Sequence, residues 1–557
     1  MKRNLAELAI PVYDLVVIGG GIYGACAAWE AASRGLSVAL LEKGDFASAT
    51  SANSLKIIHG GFRYLQHADF RRMRESISER KILMQIAPHL VRPLPVLVPT
   101  YGHGIKGREA LWVALAINDL VSFDRNRQMD PSKHIPHGRM ISRQECLQQL
   151  PHLESRGLTG GAIFYDAQVY NSERLVLAFL HSAERAGASL ANYAEVIAFL
   201  RDGERIKGVR VVDRMGGTEF EVQARTVINT SGPWIGQVLG WLAPQSAAQP
   251  RFVKAVNLVS SQLFTNIALG LAGQNGGHSG YEDESSLVRQ SAGLLFIAPW
   301  RGYSLIGTTY QAYKGSPEGL RATEHDVQFL LDALNRAYPG AALSREAITY
   351  VHAGLLPAAR RARPGEVQLA KHYEIRDHRQ DGLEGLFSVI GVKYTTARHV
   401  AEKTIDRVYE SWGYTPSPPV SANIPLYGGH IKRIESYLGN EIQRRSCGLG
   451  PGEIQGLVYN YGAAYQDVLR HFETIAAREP ISRERSLLRA QILHAVRIEM
   501  AQKLADIVFR RTELGTAGHP GHEALDFCAR VMGRELGWEE SRIGSEIEEV
   551  EQAYRLA

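Results

Sequence analysis

The sequence predicts a large α/β region followed by a helical C-terminal domain. Three observations point there. An apolar run at residues 13–18 leads into glycines, a helix-like stretch and a second apolar run, which together make a βαβ unit. Strand-like and helix-like patterns then alternate to about residue 410. Finally, Pro416, Pro418 and Pro419 break the chain, and the patterns beyond them are mostly helical.

The βαβ unit begins with a β-branched strand at 13–18. Gly19, Gly21 and Gly24 follow, then an alanine-rich helix at 25–34, with Gly35 placed as a left-handed cap. A second strand at 36–41 ends on Glu42. A polar, glycine-containing stretch covers 44–63. Phe70, Met73, Ile77, Leu83 and Met84 then share one face of a helix at 69–87, which Pro88 ends. The longest apolar stretch, 110–121, is interrupted by Asn118 and Asp119 and reads as a buried or interfacial helix. Further helices are predicted at 174–188, 324–337, 395–410, 453–461 and 486–508. Strands are predicted at 195–199, 208–212, 227–229, 294–299, 303–307 and 389–393. No internal repeat or low-complexity segment is present.

Composition excludes several classes. Of 557 residues, 45% are apolar and 22% charged, as in an ordinary globular protein. The 63 basic and 58 acidic residues leave a net charge of +5, which does not call for nucleic acid. Cys26, Cys146, Cys447 and Cys528 lie far apart, a pattern that fits a reducing compartment and suggests neither a disulfide framework nor a zinc site. The first residues carry no signal-peptide pattern, and no run of 18 apolar residues occurs. The expectation is a cytoplasmic protein.

The glycine pattern carries chemistry. Gly19 lets the chain turn after the strand, Gly21 leaves room for a pyrophosphate, and Gly24 allows close packing of helix on strand. The helix N-terminus offers N–H donors and the positive end of its dipole to phosphates. Glu42, 18 residues beyond Gly24, is placed to accept hydrogen bonds from ribose hydroxyls. An acid there argues against a 2′-phosphate and leaves NAD and FAD both open.

Residues 49–67, ATSANSLKIIHGGFRYLQH, closely resemble the segment after the βαβ unit in FAD-dependent glycerol-3-phosphate dehydrogenases. Residues 87–90, 229–234 (NTSGPW), 306–309 (IGTT), 313–315, 391–396 (GVKYTT) and 504–512 (LADIVFRRT) resemble further landmarks of that family, in order. The resemblance implies FAD as cofactor, a glutathione-reductase-like FAD-binding domain, an antiparallel β substrate domain and a helical C-terminal domain. It places FAD-binding parts at about 10–100, 160–250 and 345–410, and substrate-domain parts at about 101–159 and 251–344, within a region 1–415. The C-terminal domain is 420–557. It also implies oxidation of sn-glycerol 3-phosphate to dihydroxyacetone phosphate, with quinone or another acceptor taking the electrons. The family's place is the inner membrane surface, bound peripherally; oligomers are compatible with it.

Alcohol oxidation needs a hydride acceptor, a base for the hydroxyl proton, and positive charge for an anionic substrate. The resemblance makes His59 the candidate base and Arg63, Tyr64 and Lys371 substrate contacts, with Lys393 near both flavin and substrate. It adds Thr50, Ser51, Lys56, Gly60, Gly232, Gly391 and Thr395 to the cofactor set. Thr395 and Thr396 are equally suited to capping the following helix.

Three positions depart from the family pattern. Leu356 stands where a substrate arginine is expected, and Lys371 replaces a second arginine, keeping charge but losing the bidentate fork. Asn257 stands near an expected histidine. Arg360, Arg361 and Arg363 lie just downstream and are candidates to compensate. The alternative is a divergent flavin oxidoreductase for another small hydroxy or amino compound.

Overall fold

The computed structural model describes residues 1–104, 107–242, 251–271, 294–359, 367–476 and 482–557. Two sheets and a helical domain make up the described chain.

The first sheet runs Glu374–Asp377, Leu386–Ile390, Glu219–Asn229, Val12–Ile18, Val38–Leu41, Ser189–Ala191. Its centre is parallel, with Val12–Ile18 between Glu219–Asn229 and Val38–Leu41. The carboxyl halves of the parallel strands are buried, as the unbroken apolar runs require (Leu15, Val16 and Val17 are fully enclosed). Ala194–Asp202 and Arg205–Asp213 form an antiparallel hairpin that joins Glu219–Asn229. Helices Ile22–Ser33, Ser172–Arg185 and Ala397–Ser411 share one core with this sheet.

The register sets the position of the site. Ile18 pairs with Leu41 and Asn229, and Asn229 pairs with Ser388, so four carboxyl ends lie along one edge. Gly19, Glu42, Thr230 and Gly391 leave the sheet at that edge, where open α/β sheets bind ligands.

The second sheet runs Ile348–Pro357, Phe252–Ser261, Tyr303–Tyr313, Leu295–Trp300, Ala268–Leu271, Val91–Tyr101, Leu158–Val169, Ile57–Ile58, with Arg139–Ile141 on Leu158–Val169. It is antiparallel except for one parallel pair, Ala268–Leu271 with Val91–Tyr101. Helix Glu324–Ala337 covers it with Val327, Leu330, Leu331 and Leu334, and begins with a capping box between Thr323 and Asp326. In the C-terminal domain, helices from Ile434–Arg444 to Glu540–Tyr554 enclose a separate core.

Several expectations are corrected. Strands Ile57–Ile58, Val91–Tyr101, Leu158–Val169 and Ile348–Pro357 lie in the second sheet, a pairing the sequence reading did not give. Chain order cannot reveal this, because the chain passes repeatedly between the two sheets. The strand expected at 389–393 ends at Ile390, leaving Gly391 and Lys393 in irregular chain. The helix expected at 486–508 is broken: Arg483–Ile498 ends, Met500 takes a positive φ of 57°, and a π-turn, Ile507–Arg511, follows Leu504–Asp506. The apolar segment at 110–121 is helical, Arg108–Val121, but only Leu115 is buried.

Candidate active site

The glycine turn is built by steric necessity. Gly19 has φ 102°, and a Cβ on Gly24 would lie 1.9 Å from the Gly19 carbonyl oxygen. Gly21 is the N-cap of helix Ile22–Ser33, with no side-chain cap and no acid in the first turn. The positive helix end is therefore not neutralised by its own sequence. Glu42 accepts hydrogen bonds from the Gly20 N–H at 2.6 Å and the Gly44 N–H at 2.8 Å, tying the turn to the second strand. Burial raises its pKa, against those two hydrogen bonds. Ser51 accepts the Ile22 N–H at 3.0 Å, and Thr50 bonds the Leu355 backbone at 3.1 Å, joining the turn to the second sheet.

The second approach to this edge is the loop after Ile390. Tyr23, in the first turn of the glycine-led helix, donates to the Lys393 carbonyl at 2.7 Å. Its hydroxyl also accepts from the Val392 and Lys393 N–H groups at 3.0 and 3.1 Å. A Cβ on Gly391 would lie 2.1 Å from the Tyr23 ring, so glycine is required for the contact. Tyr23 thus holds the two halves of the site together. The sequence reading missed it, because its position in the helix resembles any aromatic core residue.

Lys393 is the cation of this loop. Its ammonium lies 4.0 Å over the Tyr64 ring, and among the described residues it has no hydrogen-bond or ion-pair partner. Burial lowers its pKa to about 8. Tyr23, Arg72, Glu75, Lys371, His372, Tyr373 and Thr396 line the small cavity beside it. Arg72, also missed, stacks on Tyr64 at 4.8 Å and donates to the Lys371 carbonyl at 2.9 Å. Only the fold brings its helix, Phe70–Ile86, to this loop. Thr396 is the N-cap of helix Ala397–Ser411 without a side-chain capping bond, so capping does not account for its hydroxyl. Thr395 beside it is buried.

His59 follows strand Ile57–Ile58, whose antiparallel pairing of Ile58 with Ala167 carries it to Asp166. Its Nδ1 lies 2.9 Å from Asp166 Oδ2, and the Gly60 N–H donates to Oδ1 at 2.7 Å. Burial would raise the Asp166 pKa, but His59, Arg80 and Gly60 outweigh it and hold it low. An ionised Asp166 makes Nδ1 the donor and leaves Nε2 free to accept a proton. The imidazole is half exposed while Asp166 is enclosed, which is the arrangement of a base and its orienting carboxylate. Asp166 carried no motif signal; only the strand pairing reveals it.

The remaining positions divide. Arg63 follows in the same segment and lies close enough to the partly buried Tyr310 to act on its ionisation. Gly232, with φ 56°, opens the short helical turn after Thr230 and Ser231 at the sheet edge. Lys56, expected at the cofactor, is buried. Its ammonium is taken up by Glu173 at 2.9 Å, Ala52 O at 2.8 Å and Ser172 at 3.0 Å. Leu356 lies in strand Ile348–Pro357, paired with Val253 and partly buried. Asn257, buried, accepts from Thr308 at 2.6 Å. Arg360, Arg361 and Arg363 lie outside the described residues. Among the described residues no group of His, Cys, Asp and Glu is placed to hold a metal ion.

A glycine turn at the carboxyl edge of a parallel sheet, with an uncapped helix end and an acid after the second strand, is the geometry that binds a dinucleotide. The family model described as FAD dependent oxidoreductase matches residues 14–404, and that for the C-terminal domain of alpha-glycerophosphate oxidase matches 419–543. A glycerol-3-phosphate dehydrogenase of Synechocystis sp. is 33% identical, over 98% of this chain and 97% of its own. One of Mycobacterium leprae is 30% identical, over 96% and 87%. The solved glycerol-3-phosphate dehydrogenase of Bacillus halodurans, complexed with FAD, superposes with a TM-score of 0.78 at 26% identity, covering 99% of this chain and 96% of that one. The chain belongs to the glycerol-3-phosphate dehydrogenase family of FAD-dependent oxidoreductases, and its cofactor is FAD.

Proposed function

We propose that this enzyme oxidises the C2 hydroxyl of sn-glycerol 3-phosphate to the ketone of dihydroxyacetone phosphate and passes the electrons to a quinone at a membrane surface. The observation that carries the chemistry is the continuity of one segment: His59, held by Asp166, is followed by Arg63 and Tyr64, and Tyr64 carries the Lys393 ammonium. A proton acceptor and the ring that carries a desolvated cation thereby share one short stretch of chain.

When bound, FAD supplies the acceptor for the C2 hydride. His59 Nε2 takes the hydroxyl proton, and Asp166 steadies the imidazolium that results. Lys393 stabilises negative charge on the substrate oxygen, in surroundings where a charge is screened less than in water. Arg72 and Lys371, which line the cavity beside Lys393, suit a phosphate better than a neutral alcohol would require. Glu75 beside them is offset by Arg71 and Arg72. That the relatives from Synechocystis sp. and Mycobacterium leprae are glycerol-3-phosphate dehydrogenases supports the same substrate. Leu356 favours a second reading, a substrate without phosphate, because an apolar side chain cannot hold an anion. Turnover with an artificial electron acceptor decides: dihydroxyacetone phosphate formed one-for-one with reduced acceptor supports the first reading. Turnover of glycerol, lactate or small amines alone supports the second.

The membrane part rests on helix Arg108–Val121, whose apolar face points outward. Trp112, Val113 and Leu120, with Phe123 just beyond, are exposed along one stripe of about 100°, the spacing i, i+1, i+8, i+11. Phe70 and Arg74 of the neighbouring helix extend this face; Arg74 lies 5.4 Å from the Phe123 ring. Among the described residues no helix is long and apolar enough to cross a membrane. Replacing Trp112, Leu120 and Phe123 by Glu should abolish co-sedimentation with anionic vesicles and leave flavin reduction unchanged. Equal sedimentation of variant and parent contradicts the assignment.

A further inference from the structure

The motif at 504–512 has no part in the chemistry above, yet it reaches the cofactor turn through a single buried carboxylate. Asp45 lies three residues beyond Glu42 and is fully enclosed. Arg511 grips it with a two-pronged fork, Nη1 to Oδ2 and Nη2 to Oδ1, each 2.7 Å. Arg510 adds Nε to Oδ2 at 2.5 Å, and Asn192 donates to Oδ1 at 3.1 Å. Arg510 is itself fixed by Asp506 at 2.7 Å, which also accepts from Tyr193 at 2.6 Å. The two arginines are consecutive in the chain. They lie in the π-turn Ile507–Arg511, a widened turn of the kind often found at functional sites, and here both reach one carboxylate.

What they hold is the support of the glycine turn. Glu42 and Gly44 flank the hydrogen-bonded link to Gly20, and the Ala47 N–H donates to the Gly20 carbonyl at 3.1 Å. Phe46 closes on Gly20 so tightly that a Cβ there would lie 2.6 Å from its ring. Residues 42–47 therefore grip Gly20 from one side, while Arg510 and Arg511 grip residues 42–47 from the other.

We propose that the helical C-terminal domain acts as a clasp on the cofactor turn: Arg510 and Arg511, through Asp45, hold residues 42–47 and so fix the glycine turn in its nucleotide-binding shape. They are positioning residues; neither touches the reacting atoms. The proposal rests on the assignment of FAD to this turn. By linkage it has a reciprocal consequence: FAD bound at the turn must tighten the π-turn that never touches it.

Hydrogen exchange on the full-length wild-type chain, freed of flavin and then reloaded with FAD, reads that coupling. Amides of residues 507–512 should exchange at least tenfold more slowly with FAD bound, while those of helix Glu540–Tyr554 in the same domain stay as they were. Flavin absorbance shows independently that FAD has bound. Bound flavin with unchanged exchange at 507–512, or with equal slowing along Glu540–Tyr554, overturns the clasp. A chain that takes up no FAD overturns the cofactor assignment, and the clasp with it. Arg511→Lys gives a second reading, since it keeps the charge and loses the fork. Its FAD dissociation constant should rise at least tenfold at a temperature where the flavin-free protein remains folded, beside the fall in unfolding midpoint that loss of a buried pair brings. A lower midpoint with unaltered FAD affinity would mean that the pair only joins two domains.

Discussion

His59 and Lys393 divide the work of alcohol oxidation between a proton acceptor and a cation, and each can be tested alone. Positioned general bases contribute roughly 10²–10⁴-fold, so His59→Gln should lower kcat by that order while FAD stays bound. Asp166→Asn should cost less, because it misorients the base without removing it. Stopped-flow flavin reduction measures both, and a His59→Gln enzyme with parental kcat would remove histidine from the mechanism. Lys393 gives a pH signature. Its pKa is depressed to about 8, so the ammonium is present below that pH and is lost as pH rises through it. The basic limb of kcat/KM should therefore fall near pH 8, and Lys393→Arg should carry that limb upward out of range. A basic limb that stays in place in Lys393→Arg belongs to another group. At this scale the sequence revealed residues that stand inside motifs, such as His59, Tyr64 and Lys393. It gave no sign of Asp166, Tyr23 or Arg72, whose partners are more than 100 residues away along the chain or on another helix. It gave no sign either that the Lys56 ammonium meets the buried Glu173, because a lysine beside a cofactor motif reads the same whatever its charge meets.

The βαβ unit was legible because each of its parts is required by geometry, and the structure shows how strictly. Gly24→Ala would place a methyl group 1.9 Å from the Gly19 carbonyl oxygen, and the helix cannot move away without leaving its strand. The variant should therefore fail to retain FAD after purification, judged by the flavin-to-protein absorbance ratio; a yellow variant with the parental ratio would contradict this packing. Helix Glu324–Ala337 was legible to the residue, since its capping box and apolar stripe agree. Helix Arg108–Val121 shows the opposite case. Its apolar run is equally clear, but periodicity cannot tell whether a stripe faces a core or the outside, and here it faces out. The break after Ile498 escaped notice because no proline or glycine marks it; it is made by tertiary packing around Asp506 and Met500.

Across the whole molecule, the chain weaves between two sheets, so that the base comes from one and the cofactor turn from the other. This interleaving was hidden in the sequence, because the chain passes repeatedly from one sheet to the other. The buried carboxylate network that joins the domains makes acid sensitivity a property of the assembly. Burial would raise the Asp45 pKa, but Arg511 and Arg510 hold it below its ordinary value. Its contribution to stability is thus complete above the unfolded value of about 3.9 and is lost as pH falls further, through the folded value. Asp45→Asn should flatten that acid limb in thermal unfolding measured against pH, and an unchanged slope would assign the limb to other carboxylates. The central claim is that the site accepts a phosphate-bearing alcohol despite Leu356. Anaerobic addition of sn-glycerol 3-phosphate to the purified protein, with glycerol and lactate as controls, tests it most directly. The account predicts that the flavin absorbance bleaches with sn-glycerol 3-phosphate alone; flavin that stays oxidised with it, or bleaches equally well with glycerol, contradicts the account.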